Sequence, residues 1–309
     1  MQDKPDPSGL PSRAVSGGLA ARLDRMGPTV RGMLWAVAAG LIFSVLNATI
    51  RGLARDLDPM QTQFLRYLFG LVVMLPFVFR SGLAAYRPNG LAGQFWRGVV
   101  HTAGLAFWFT ALPHLTLADM TAIGFTTPIF IMIGAALVLR EQVSGARWFA
   151  ALVGFSGVLI VVGPQFSGGL GFYSLVMLAS APMFAASFLI TKALTKRDSA
   201  EVIVTWQNIA VSLLTLPLAI PGWVQPSAAQ WGLFLIAGVL GSGGHYCLTR
   251  AFRSADISAT QSVRFLDLIW ASVMGILVFG DWPSQWTLLG GLVIFTSTMW
   301  IARHEARKR

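Results

Sequence analysis

Apolar residues run along this chain in long, nearly uninterrupted blocks, and polar residues gather in the short stretches between them. The blocks lack both the alternation of a half-buried strand and the narrow stripe of a soluble amphipathic helix. A run of about 18 or more apolar residues with few charges has the length of a bilayer-spanning helix. Ten such spans are predicted: Met33–Leu53, Gln63–Phe79, Gly98–Leu115, Thr121–Leu139, Trp148–Val162, Gly171–Leu194, Val202–Ile220, Trp231–Leu248, Ser258–Phe279 and Trp286–Ala302. Several lie near the ~17-residue lower limit, which suits a compact bundle of lightly tilted helices. Gly154 and Gly157 in span 5, Gly238 and Gly241 in span 8, and Gly290 and Gly291 in span 10 would let helix backbones approach closely.

Composition removes the soluble alternatives. The chain has 309 residues, of which 55% are hydrophobic and only 12% charged, against about 25% charged residues in an ordinary soluble domain. The net charge of +10 does not point to nucleic acid, because the cations are scattered over connectors and tails and form no basic face. The lone Cys247 excludes an internal disulfide framework and reads as a small buried residue. Residues 1–30 are rich in Gly, Pro, Ser and Arg, lack the apolar core of a cleavable signal, and read as a disordered cytoplasmic tail.

Charge also predicts orientation. With the N-terminus inside, the inner connectors hold Arg80, Arg87, Arg97, Arg140, Arg147, Lys192, Lys196, Arg197, Arg250 and Arg253, while the outer ones hold only Arg51 and Arg55. The positive-inside rule selects this arrangement, with both termini cytoplasmic in a bacterial inner membrane. Trp148, Trp223, Trp231, Trp282 and Trp286 fall near span ends, where an interfacial belt belongs.

The halves resemble each other. A shift of 141 places Arg51 on Lys192, Arg66 on Gln207 and Leu75-Pro76 on Leu216-Pro217; a shift of 137 places Ala118-Asp119 on Ala255-Asp256; a shift of 140 places Glu141 on Asp281. Residues 31–165 thus form a first five-span repeat and residues 170–303 a second, followed by a basic cytoplasmic tail at 304–309. An odd number of spans inserts the second copy upside down. The predicted fold class is an all-α integral membrane protein with ten transmembrane helices in two inverted five-helix repeats. Inverted repeats are a mark of alternating-access carriers, which bind substrate near midplane between the halves.

Arg66-Tyr67-Leu68-Phe69 in span 2, Ala122 and Pro128 in span 4, Leu139-Arg140-Glu141 at its exit, and Gly154 and Gly157 in span 5 occur in the order of the EamA domain. The chain therefore resembles the EamA type of the drug/metabolite transporter superfamily over residues 31 to 303. The second copy departs from the pattern, with Asp281 in place of the usual glutamate and no proline in span 9. Arg264-Phe265-Leu266-Asp267-Leu268-Ile269-Trp270 in span 9 is similar to a block in the superfamily's S-adenosylmethionine uptake carriers. Riboflavin importers also occur among its bacterial members.

Polar residues inside apolar spans are the candidate substrate-binding positions. Arg264 and Asp267 are three residues apart and share a helix face. A charge there costs at least ~2.5–3.5 kcal/mol, which pairing offsets. They read as a substrate or proton site, or as a structural pair. Arg66 is open to three readings: an anion ligand, a partner for Asp267, or a cation snorkelling to the outer interface. Pro128 lacks a backbone donor and, with Thr126 and Thr127, would present polar backbone to a cavity or simply kink span 4. Trp108, with Phe107 and Phe109, offers an aromatic wall for a planar ligand, although lipid-facing positions are expected for at least two of the three. Asn47, Trp206, Gln207 and Asn208 would hydrogen-bond substrate or neighbouring helices. His101, His114 and His245 lack metal-ligand spacing, and no cofactor or metal is expected; His245 reads as an interhelical hydrogen-bond partner or a proton shuttle. Glu141 and Asp281, at span ends, read as structural or gating.

No phosphate-binding loop is present, so a gradient or exchange must supply energy, and proton coupling through Asp267 is one candidate. A membrane enzyme would need clustered His, Asp or Glu residues near one interface, and the sequence has none. The expected function is secondary transport of a small organic metabolite, with riboflavin uptake first, S-adenosylmethionine uptake second, and amino-acid or metabolite export third. The expected partners are this solute and the bilayer; a homodimer is left open.

Overall fold

The computed structural model describes residues 27–138, 144–167, 169–257, 260, 263–264 and 266–306, and every regular element among them is helical. The tails at 1–26 and 307–309, Leu139-Arg140-Glu141 and Phe265 lie outside the described residues. In chain order the helices are α1 (Pro28–Leu53), α2 (Pro59–Ser81), α3 (Leu91–Ala111), α4 (Leu117–Gly124), α5 (Thr127–Leu137), α6 (Gly145–Ser167), α7 (Gly171–Leu194), α8 (Ala200–Ala219), α9 (Ala228–Ser254), α10 (Leu266–Met274) and α11 (Gln285–Ala306). A 3₁₀ turn, Leu83–Tyr86, precedes α3, and a π turn, Gly275–Phe279, extends α10. Among the described residues, six stretches are long and apolar enough to cross a membrane, and Trp148–Pro164 and Leu266–Phe279 are shorter apolar ones.

Local chemistry sets the helix starts. Asp58 accepts from the Met60 and Gln61 backbone N–H groups at 2.8 and 3.1 Å, with Pro59 in the first turn of α2. Thr116 caps α4, Ser199 caps α8, and Ser227 with Gln230 forms a capping box on α9. Span 4 is not one kinked helix: it breaks at Phe125–Thr126 into α4 and α5. Pro128 then sits in the first turn of α5, where its missing N–H leaves no gap in the ladder. Helix α3 begins seven residues before the apolar run predicts, so Arg97 is a buried helical residue, not a connector cation.

Large apolar side chains point away from the bundle, among them Phe79 at 70% and Leu277 at 72% exposure. Such a surface would be an aggregation liability in water and is the surface lipid accepts. The interior is packed through small residues. A Cβ on Gly238 of α9 would come within 2.6 Å of the Phe69 backbone of α2, and one on Gly157 of α6 within 2.7 Å of the Gly290 carbonyl oxygen of α11.

The packing pattern repeats. Helix α1 lies against α9 as α7 lies against α3; α10 packs on α1 as α5 packs on α7; α2 pairs with α8, and α6 with α11. An inverted pair of five-span units produces this correspondence, because each helix meets the counterpart of its counterpart's neighbour.

The two ends of the bundle differ. At the basic end, Asn89 and Gln94 donate to the Asp198 carboxylate at 2.8–3.1 Å, and Lys192 Nζ donates to the Phe252 and Ala255 carbonyls at 2.7 Å. At the opposite end Arg51 pairs with Asp281, and Thr287 donates to Asp119 at 2.6 Å. Gly280, with φ of +69°, ends the π turn in the left-handed conformation that glycine accepts without strain, and so delivers Asp281 to Arg51.

Candidate functional site

A cavity of about 200 Å³ lies between the two halves, walled by α1, α2, α3, α4, α7, α9 and α10. Much of its wall is aromatic: Phe43, Trp108, Phe109, Phe125, Phe184 and Phe188 all line it. Phe109 is buried, Trp108 is half-buried, and only Phe107 of that triplet faces outward at 40% exposure. The expectation that at least two of the three face lipid is therefore corrected; the helical turn of α3 puts Trp108 and Phe109 on its inner side.

Polar groups stand among these rings, with His245 5.0 Å from Phe43, His101 5.4 Å from Phe184 and the Arg264 guanidinium carbon 6.0 Å from Phe188. Arg264 Nε donates to Asp267 Oδ2 at 3.2 Å, and both side chains keep some exposure, 31% and 18%. Asp267 packs onto Gly40 of α1, whose missing side chain is the space the carboxylate fills. Arg66 is 4% exposed. Its guanidinium lies 3.7 Å from the Tyr67 ring centroid and against Gly241. It neither snorkels outward nor forms an ion pair with Asp267, since its side chain turns back over Tyr67 and Asp267 is paired with Arg264.

Behind Arg66 runs a chain of neutral hydrogen bonds that sequence spacing did not reveal. Tyr67 Oη meets His101 Nε2 at 3.0 Å and His245 Nε2 at 3.5 Å, and His101 Nδ1 meets Ser187 Oγ at 3.0 Å. Arg97 donates to Thr191 Oγ1 at 2.6 Å, to the Ile203 carbonyl at 2.9 Å and to Gln207 Oε1. Gln207 must then use its amide N–H toward His245 Nε2, 3.3 Å away, which makes that ring nitrogen an acceptor. Residues 67, 101 and 245 sit on three helices far apart in sequence; their only common signal is a polar group inside an apolar span.

The remaining candidates divide. Asn47 and Thr127 line the cavity; Pro128 does not, its place being the α5 turn behind Thr127. Gln207 is buried one layer back. Trp206 lies outside the cavity and donates to the Tyr86 carbonyl at 2.9 Å, fastening α8 to the basic-end turn. Burial, aided by the Glu201 carboxylate, pushes the Tyr86 phenol above its ordinary value. Asn208 donates to Ser242 at 3.1 Å, joining α8 to α9. Among the described residues no cluster of His, Cys, Asp or Glu has metal-binding geometry.

A chamber on a two-fold of inverted repeats, lined by aromatic rings and a few placed charges, has the form of a solute site. The EamA-like transporter family matches the chain twice, over residues 30–163 and 171–303. The chain belongs to this family. As an EamA-like transporter it is a multi-pass membrane protein that moves a small molecule. It is 35% identical to a riboflavin transporter of Rhizobium johnstonii, over 90% of this chain and 93% of the relative. It is 25% identical to an S-adenosylmethionine uptake transporter of Rickettsia prowazekii, over 92% and 96%, and 28% identical to a pseudopaline exporter of Pseudomonas aeruginosa, over 88% and 96%. A protein of known crystal structure, 17% identical, superposes on this EamA-like transporter with a TM-score of 0.69, covering 90% of this chain and 98% of that one, and supports the fold alone.

Proposed function

We propose that this EamA-like transporter imports riboflavin by alternating access across a bacterial inner membrane, with its basic end and both termini in the cytoplasm. The observation that carries the substrate is the cavity's balance of aromatic surface and charge. Its walls hold two formal cations, Arg66 and Arg264, and one anion, Asp267, a surplus of one positive charge (2 − 1). A flat, neutral isoalloxazine suits rings that stack and tolerates that surplus. S-adenosylmethionine carries net positive charge and would meet it unfavourably, with the only lining carboxylate among the described residues already paired to Arg264. The riboflavin-transporting relative supports the same choice.

The test is uptake of radiolabelled riboflavin by a riboflavin-auxotrophic bacterium expressing the protein, with unlabelled S-adenosylmethionine as competitor. Saturable uptake insensitive to the competitor is expected. Absent uptake with the protein present in the membrane would overturn the riboflavin reading.

A further inference from the structure

Arg66 and Arg97 are both buried guanidiniums, at 4% and 2% exposure, on adjacent helices. Their bonding is opposite. Arg97 uses all three nitrogens, on Thr191, the Ile203 carbonyl and Gln207. Arg66 has a buried Nη1 without a hydrogen-bond partner and pairs with no carboxylate among the described residues. Yet its placement is well defined, sandwiched between the Tyr67 ring and Gly241, where an added Cβ would come within 2.6 Å of Nη2. A cation fixed in place in the wall of a cavity, buried and left with a donor unspent, is costly unless something else accepts from it.

From this contrast we infer that Arg66 reads the acceptor edge of the transported solute, a coplanar pair of adjacent acceptors (two carboxylate oxygens, or a ring nitrogen beside its carbonyl) presented to the guanidinium fork. The neighbouring polar groups do not compete for that role. Tyr67, His101, His245 and Gln207 are bonded to one another, and Asp267 to Arg264. They form a neutral backing that holds the fork in one plane. Stacking on Tyr67 fixes that plane, so the solute's acceptors must approach edge-on, while its flat body lies toward Trp108 and Phe184. In the riboflavin reading, on which the identity of the solute rests, this edge is N1 with the C2 carbonyl or N5 with the C4 carbonyl of the isoalloxazine, each a pair of adjacent acceptors with no N–H between them. Other solutes of the same chemistry are carboxylates and phosphorylated flavins.

The experiment measures ligand-induced thermal stabilisation of the purified, detergent-solubilised full chain. The probes are riboflavin, flavin mononucleotide, a dicarboxylate, 1-deazariboflavin and 5-deazariboflavin (each with one ring acceptor replaced by C–H) and S-adenosylmethionine. The variants are Arg66→Gln, Arg66→Lys and Gly241→Ala, the last displacing the guanidinium without removing it. Arg66→Gln is expected to weaken binding of riboflavin about 10- to 100-fold, the range for a hydrogen bond to a charged group. The deaza analogue that lacks the acceptor read by Arg66 binds more weakly to begin with, and its loss should be smaller than riboflavin's by about threefold or more. Arg66→Lys should recover little, because an ammonium is a point charge without a fork. If Arg66→Gln does not fold, Gly241→Ala carries the comparison. Equal losses for riboflavin and both deaza analogues, or unaltered binding in all variants, would overturn the inference. Absent riboflavin binding with Arg66-dependent binding of a carboxylate or phosphate probe would overturn the riboflavin reading and leave the role of Arg66 standing.

Discussion

At the residue scale, the site is held by two glycines whose absent side chains are occupied by charged groups. Gly40 lodges the Asp267 carboxylate and Gly241 the Arg66 guanidinium. Gly40→Ala is expected to push Asp267 out of line with Arg264, costing about 1–3 kcal/mol in overpacking and lowering uptake more than tenfold; thermal unfolding and an uptake assay check the two effects. Asp267 is also the residue on which proton coupling would turn. Asp267→Asn should flatten the dependence of uptake on pH between about 5 and 8, and a variant that keeps the wild-type profile would remove Asp267 from any coupling role. Charged residues inside apolar spans were legible in the sequence because insertion energetics single them out. The tyrosine–histidine array was not, since Tyr67, His101 and His245 meet only once α2, α3 and α9 pack together. Trp206 misled for the converse reason: an amphipathic ring in a span looks like a ligand contact, yet its N–H is used on the Tyr86 carbonyl.

At the element scale, the interruptions matter more than the regular helices. Two spans that contribute to the cavity are discontinuous, one divided into α4 and α5 and the other passing into the π turn after α10. Pro128 made the first legible. The second had no such mark, because no proline stands in span 9 and a widened turn leaves apolar periodicity nearly unchanged. The π turn ends at Gly280 and presents Asp281 to Arg51, while Phe279 lies 4.5 Å from the Arg51 and 4.6 Å from the Arg55 guanidinium carbon. This cluster fastens α1 to the end of α10, and Ile50, beside Arg51 in the chain, is buried in one apolar cluster with Leu115 and Leu117. Arg51→Ala should raise labelling of a cysteine placed at Ile50 by about tenfold, equivalent to ~1.4 kcal/mol of lost fastening. Asp281→Asn should act alike, and the two changes together should add little to either alone. Unchanged labelling would mean that apolar packing alone closes this end.

At the scale of the whole molecule, hydrophobic blocks fixed the number of membrane crossings because no other solvent tolerates them, and faint internal similarity sufficed for the inverted repeat. What the sequence could not supply was depth: Arg97, counted with the connectors, lies buried in α3, since its partners come from the other half. Orientation is tested with a Cys247→Ala background carrying Lys196→Cys at the basic end or Gln225→Cys at the other. A membrane-impermeant maleimide should modify the second in intact cells and the first only after permeabilisation; the reverse pattern would invert the proposed topology.

The contact between α6 and α11 has one more consequence. Gly157 and Gly290 each face the other's backbone carbonyl, so the meeting of the two halves is self-complementary in the way of a subunit interface between identical partners. The link from α6 to α7 then has no assembly to direct, since each half already carries the surface that recognises the other. A gene cut directly after the Ser167 codon should yield two polypeptides that find each other in the membrane and restore uptake when made together, while neither does so alone. Descent from a five-span ancestor that paired with an inverted copy of itself about a two-fold axis would have left this junction behind.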